Sequence, residues 1–343
     1  MNKKGYIASI IFVVIFIVAY LLRTGSGSVL PAVYQHNEGT IFGTLYHISY
    51  QSSEDLHADI KGELQRFDNS MSTFNKNSII SRINRNDSTV VPDEWFLRVY
   101  NKGEEISEIT NGAFDMTVAP LVNAWGFGFK KSESVTPELI DSLRQFVGSD
   151  KVSLINGKIV KTDQRLMLDA SAIAKGYACD VIGDLLRSKK VTNFMVEIGG
   201  EVTVAGKSQK GKCWRIGINK PVEDNSASQG ELQDIISLCD GGMATSGNYR
   251  NFYYKDGKRF AHTIDPRTGY PIEHSLLSAT VIGPDCMTAD AFATAFMVLG
   301  LDKSMEIAES NPEIEAYFIY STDEQKNAVR MTTGFEKYMS AKN

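Results

Sequence analysis

The sequence predicts an α+β protein with largely antiparallel strand pairing, on three observations. Apolar residues recur at helical spacing in several stretches, and short apolar runs of strand length lie between them. Neighbouring runs are joined by tight turns, at Asn156-Gly157 and Asp256-Gly257, which pair strands without a crossover helix. The 343 residues, 43% hydrophobic and 22% charged, are enough for one large domain or two. No internal repeat and no second linker is visible, so residues 40–343 are read as one domain, with a linker at 24–39 and a membrane anchor or signal segment at 1–23.

From Gly5 to Leu22 there is no charged residue. At about 1.5 Å per residue a helix here would span roughly 27 Å, just enough for a bilayer core. Lys3 and Lys4 ahead of it place the N-terminus in the cytoplasm and everything after Arg23 outside. No small-residue cleavage site stands out, so the run reads as a single-pass membrane anchor, with a cleaved secretory signal as the other reading. The linker opens on a flexible Gly/Ser tether, residues 24–28.

Thr40 to Tyr50 reads as a strand. A helix starts at Ser53-Glu54-Asp55, with Leu56, Ile60, Leu64 and Phe67 on one face, followed by a short helix around Ile79 to Ile83 and a long one from Asp93 to Ile109. Between Gly112 and Leu121 come a turn, a strand-like piece and a proline-started helix; Thr136-Pro137 then caps another helix. Val152 to Lys161 forms a hairpin, Leu166 to Leu168 a buried strand, and Ala172 to Lys189 a helix. Strands follow at Phe194 to Ile198, near Val202, at Trp214 to Ile218, Leu232 to Leu238, Asn251 to Tyr254, Arg259 to Ile264 and Leu276 to Ile282. A helix capped by Asp285 ends at Gly300, Asp302 caps the next, and Ala316 to Tyr320 is a late strand.

The formal charge of -5 gives no basis for sequence-independent nucleic-acid binding. Cys179, Cys213, Cys239 and Cys286 are too scattered for zinc or a dense disulfide framework, and their redox state is open. Gly206 to Lys212 has the spacing of a phosphate-binding P-loop, but Cys213 stands where the Ser or Thr should be and a strand follows, so it reads as a basic turn.

In the helix that ends at Gly300, Asp290 and Thr294 stand four residues apart on one face, among small residues. Such a pair suits a hard cation, although these residues alone favour a solvated Asp beside a back-bonded Thr. Asp169 to Tyr177 places polar groups at a strand-to-helix junction, which binds an anion or merely caps the helix. His262 ends a strand ahead of the turn at Asp265-Pro266, a position open to a general base. Arg250 could meet a phosphate or an acid.

Taken in order, Asp169 to Tyr177, Glu197-Ile198-Gly199-Gly200, Ala244-Thr245-Ser246-Gly247, His262 to Pro266 with Thr268-Gly269, and Ala289 to Ala295 resemble the ApbE family of FAD:protein FMN transferases. Met71 to Phe74 and Gly112 to Asp115 match as well, so the resemblance runs from about Thr40 to Gly300. It implies a Mg²⁺-dependent enzyme outside the cytoplasm, acting on FAD and releasing AMP. FMN passes to a Thr or Ser of an extracytoplasmic acceptor protein through a phosphoester. By matching positions, Asp290, Thr294 and main-chain oxygens of Ala172 and Ala293 are metal ligands, and His262 is the base. FAD contacts fall on Phe42, Phe74, Ala113, Phe114, Asp115, Asp169, Lys175 and Ile264, with Phe42 and Phe74 replacing the usual Met and Tyr. An FAD pyrophosphatase giving FMN and AMP, and a non-enzymatic FAD-binding protein, are the alternatives.

Overall fold

The first two strands, β1 (Tyr34–Ile41) and β2 (Thr44–Gln51), form a hairpin where the sequence predicts a single strand. Phe42 (φ 53) and Gly43 (φ 73) turn the chain, so regular structure starts inside the stretch read as linker. A phenylalanine rarely adopts left-handed backbone, which is why the turn carries no sequence signature; its ring packs edge-on to Phe67, centroids 5.7 Å apart. The computed structural model describes residues 33–128, 135–221, 231–248, 252–255, 258–322, 324 and 326–340. The expected anchor and Arg250 lie outside these, and among the described residues no helix is long and apolar enough to cross a membrane.

Helix α1 (His57–Met71) buries Ile60, Leu64 and Phe67, as its periodicity predicts. α2 (Ile79–Asn84) and α3 (Glu94–Ile109) start on Ser78 and Asp93, whose side chains accept from Ser81 N and Phe96 N. The strand-like piece after Gly112 is instead a series of turns leading into α4 (Ala119–Ala124), and α5 (Pro137–Arg144) is capped by Thr136. β3 (Val152–Ile155) and β4 (Lys158–Lys161) close on Asn156 and Gly157, both at positive φ. Leu166 and Leu168 are buried, but the segment is no strand. The Asn84 amide stands where a partner strand would, donating to Leu168 O at 2.8 Å and accepting from Leu168 N at 2.7 Å.

The remaining elements are α6 (Ala174–Ser188), β5 (Phe194–Ile198), β6 (Glu201–Ala205), β7 (Trp214–Asn219), β8 (Leu232–Leu238), β9 (Asp240–Gly247), β10 (Phe252–Lys255), β11 (Lys258–Ala261), β12 (Leu276–Gly283), α7 (Cys286–Leu299), α8 (Leu301–Ser310), β13 (Glu315–Ser321) and β14 (Asn327–Met331). The sequence reading misses β9 and β14, which carry few large apolar residues. It also misplaces the cap of α8. Gly300 holds that position, and Asp302 instead accepts from Arg330 at 3.2 Å.

Eight strands make one sheet in the order β1-β2-β5-β6-β9-β12-β13-β14, and every pairing in it is antiparallel, as the hairpin signals imply. Alternation along these strands divides their side chains between two cores. In β13, Ala316 and Phe318 join the helices α1, α3, α6 and α7, whereas Tyr317 and Ile319 face a second cluster with Trp214, Ile236 and Phe335. That second cluster lies under the two-stranded ribbon β7–β8.

Cys213, just before β7, is disulfide-bonded to Cys239, between β8 and β9, so the bond closes the end of the ribbon one position beyond the Trp214–Leu238 pair. Cys179 and Cys286 are buried thiols. Replacing Cys213 and Cys239 by Ser should lower the unfolding free energy by about 2–4 kcal/mol, read as an earlier urea midpoint. An unchanged midpoint would mean that apolar packing alone holds the ribbon.

Candidate active site

The site grows from the contact between α6 and α7. The first turn of α7 is held from two sides: Asp285 accepts from Thr288 N at 2.7 Å, while Asp180 of α6 accepts from Cys286 N at 3.0 Å and Met287 N at 2.8 Å. Thr203 of β6 donates to Asp180 at 2.6 Å, so helix, helix and sheet meet at one carboxylate. Burial pushes Asp180 up to about 7, against the pull of these donors.

One turn nearer the start of α6, Gly176 lets the helices touch. A Cβ there would meet Cys286 O at 2.3 Å and Asp290 Cβ at 2.7 Å. Gly176 N donates to Asp290 Oδ2 at 3.0 Å, and Asp290 is only 2% exposed. The solvated aspartate favoured by the residues alone is therefore wrong. Burial raises the pKa of Asp290, with Lys175 opposing it. Thr294 lies within 3.2 Å of the Ser246 hydroxyl on β9.

Asp290 and Thr294 open onto a cavity of about 630 Å³. Phe74, Ala113, Phe114, Asp115, Asp169, Ala172, Lys175, His262 and Ile264 line it too, so residues from widely separated stretches converge on one cavity. Phe42 is not in the lining, because its turn packs the ring onto Phe67; Ala293 is fully buried. Neither Asp169 nor Ser171 caps α6, which has no side-chain cap; Asp169 instead accepts from Ser171 N at 2.8 Å. In the first turn of α6 the Gly176 N–H is already taken by Asp290, and it is the Lys175 side chain that brings a positive charge to the cavity. Asp115 takes the N–H and O–H of Thr117, and burial raises the pKa of both Asp115 and Asp169.

Lys175 bonds Glu201 at the start of β6. Burial alone would lower the pKa of Lys175, but Asp290 and Glu201 together hold it above the usual lysine value. Burial also pushes Glu201 up to about 7, while Lys175 pulls it down. The motifs do not single out Glu201; its signal in the sequence is a carboxylate directly after Gly199-Gly200, opening an apolar strand. Those two glycines, both at positive φ, make the two-residue turn between β5 and β6 and line the cavity.

His262 follows β11 and meets Phe127 edge-on, centroids 6.3 Å apart. The turn behind it is held by Arg267, which donates through Nε and Nη2 to Asp265, and by Trp125 Nε1, which donates to Gly269 O at 2.9 Å.

Residues 42–318 match the family model described as the ApbE family. The chain belongs to the ApbE family. It is 40% identical over 301 residues to an FAD:protein FMN transferase of Haemophilus influenzae, covering 83% of this chain and 86% of the relative. It is 37% identical over 326 residues to one from Vibrio cholerae, covering 92% and 93%. Among solved structures it resembles the flavin transferase ApbE of Vibrio cholerae, with TM-score 0.81 at 36% identity over 90% of this chain and 100% of that one. The apo flavinyl transferase ApbE of Pseudomonas stutzeri superposes with TM-score 0.81 at 32% identity, over 92% and 100%.

Among the described residues no group of three His, Cys, Asp or Glu side chains is gathered for a metal. Asp290 and Thr294 offer the cavity a carboxylate and a hydroxyl, oxygen donors that fit a hard cation such as Mg²⁺ better than zinc. Gly176→Ala should cost about 1–3 kcal/mol in urea unfolding, because backbone on α7 must shift. Unaltered stability would mean that α6 and α7 separate freely.

Proposed function

We propose that this cavity is where the chain transfers FMN from FAD to a target protein, with Mg²⁺ bound and a Thr or Ser hydroxyl as acceptor. The observation that carries the reading is the convergence of Asp290, Thr294, Lys175, Asp169 and His262 on one cavity in a chain of the ApbE family. The relatives' name, FAD:protein FMN transferase, supports the same donor and class of acceptor.

Asp290, Thr294 and the carbonyl of Ala172 would hold the cation, which supplies charge neutralisation at the pyrophosphate and at the leaving phosphate. Lys175 binds and orients the phosphates. Phe74, 77% exposed at the cavity, gives the flavin or adenine ring a surface to stack on. His262 takes the proton from the acceptor hydroxyl as its oxygen bonds to the FMN phosphorus; the bridging P–O bond breaks and AMP leaves with the electron pair.

The reaction is placed outside the cytoplasm, with the chain anchored in the inner membrane by its N-terminal apolar run. The Cys213–Cys239 disulfide supports that compartment, since such bonds persist in oxidising surroundings.

The test is to incubate the chain with FAD, Mg²⁺ and an acceptor peptide, then follow peptide mass and AMP. The unaltered protein adds one FMN. His262→Ala should still bind FAD but transfer about 100-fold to 10,000-fold more slowly; normal flavinylation by it removes the base. Asp290→Ala should lose Mg²⁺-dependent turnover, and undiminished activity removes the metal role. Free FMN with an unmodified peptide would point to hydrolysis, and unchanged FAD to a carrier.

A further inference from the structure

Glu201 has no part in the proposed transfer. It is 4% exposed and opens a strand in which every residue is buried. One carboxylate oxygen, Oε1, accepts from Lys175, while Oε2 is buried without a hydrogen-bond partner. An orphaned oxygen on a buried carboxylate destabilises the fold, and an apolar residue would suit this strand better. Its backbone is fixed all the same. Glu201 pairs with Ile198 across the Gly199-Gly200 turn, and its carbonyl accepts from Cys179 Sγ at 3.2 Å. The carboxylate is thus a rigid anchor, whereas Lys175 brings a compact charge on a flexible four-carbon stem.

Two carboxylates act on that one ammonium, Asp290 and Glu201. The ion pair is with Glu201, and the hydrogen bond of Asp290 comes from Gly176 N. We propose that Glu201 is a positioning residue that holds the Lys175 ammonium off Asp290, leaving the Asp290 carboxylate for a divalent cation and the amine for the phosphates. Without this anchor the lysine swings to Asp290 and competes with the cation for it. This rests on the metal reading above, so the experiment begins with metal binding itself.

Mg²⁺ is titrated calorimetrically into the FAD-free protein, and thermal unfolding is followed in parallel. Glu201→Gln keeps the shape and removes the charge. It should bind Mg²⁺ about 10-fold to 100-fold more weakly, with a melting temperature equal to or above that of the unaltered chain. Unchanged Mg²⁺ affinity overturns the proposal, and so does a weaker affinity accompanied by a lower melting temperature, which assigns Glu201 to the fold. In a Lys175→Met background, Glu201→Gln should cost no further affinity; an equal loss there means that Glu201 acts on the cation directly and overturns the role through lysine. Absence of Mg²⁺ binding by the unaltered chain defeats the metal reading, a result distinct from any of these.

Discussion

The close approach of α6 and α7 is the constraint on which the site depends. Gly176 removes the side chain that would hold the helices apart, and its freed N–H binds the carboxylate of Asp290. Asp180 fastens the same pair a turn earlier by accepting two backbone N–H groups of α7. Because Thr203 also donates to Asp180, the position of α7 is set against the sheet as well as against α6. Asp290 thereby sits at a fixed depth, with a backbone amide on one side and the cavity on the other.

That depth governs the electrostatics. Asp115, Asp169, Asp180, Glu201 and Asp290 all have pKa values raised, in each case chiefly by burial. Carboxylates so placed are poor contributors to stability and need cations or donors to remain charged. Lys175 pairs with Glu201, Thr117 donates to Asp115, and backbone N–H groups donate to Asp169, Asp180 and Asp290. A core that accepts such costs is organised for binding and chemistry, and the two-sided sheet with its ribbon tied by Cys213–Cys239 provides the rigid frame.

The long amphipathic and core helices were legible because burial imposes their period directly: Ile60, Leu64 and Phe67 face the core, and Asp285 and Gly300 bound α7 where their capping chemistry puts them. The hairpin at Asn156-Gly157 was legible for the same local reason. The misses share a different cause. The turn at Phe42 is held by a contact with Phe67 on another element, Leu168 is paired by the amide of Asn84, and β9 is a strand because β6 and β12 flank it. None of these causes is local to the segment.

By itself the sequence determined the α+β class, several caps and the Asn156-Gly157 turn, and, through ordered motifs, the family and many of the polar residues that meet in the cavity. Those properties are set by residues near in sequence or by the motifs' own residue types. Tertiary structure alone decided that Asp290 is buried rather than solvated, that Phe42 leaves the cavity for the core, that Cys213 pairs with Cys239, and that Glu201 stands beneath Lys175. Each of these depends on distances between segments far apart in the chain, and periodicity and propensity carry no information about such distances.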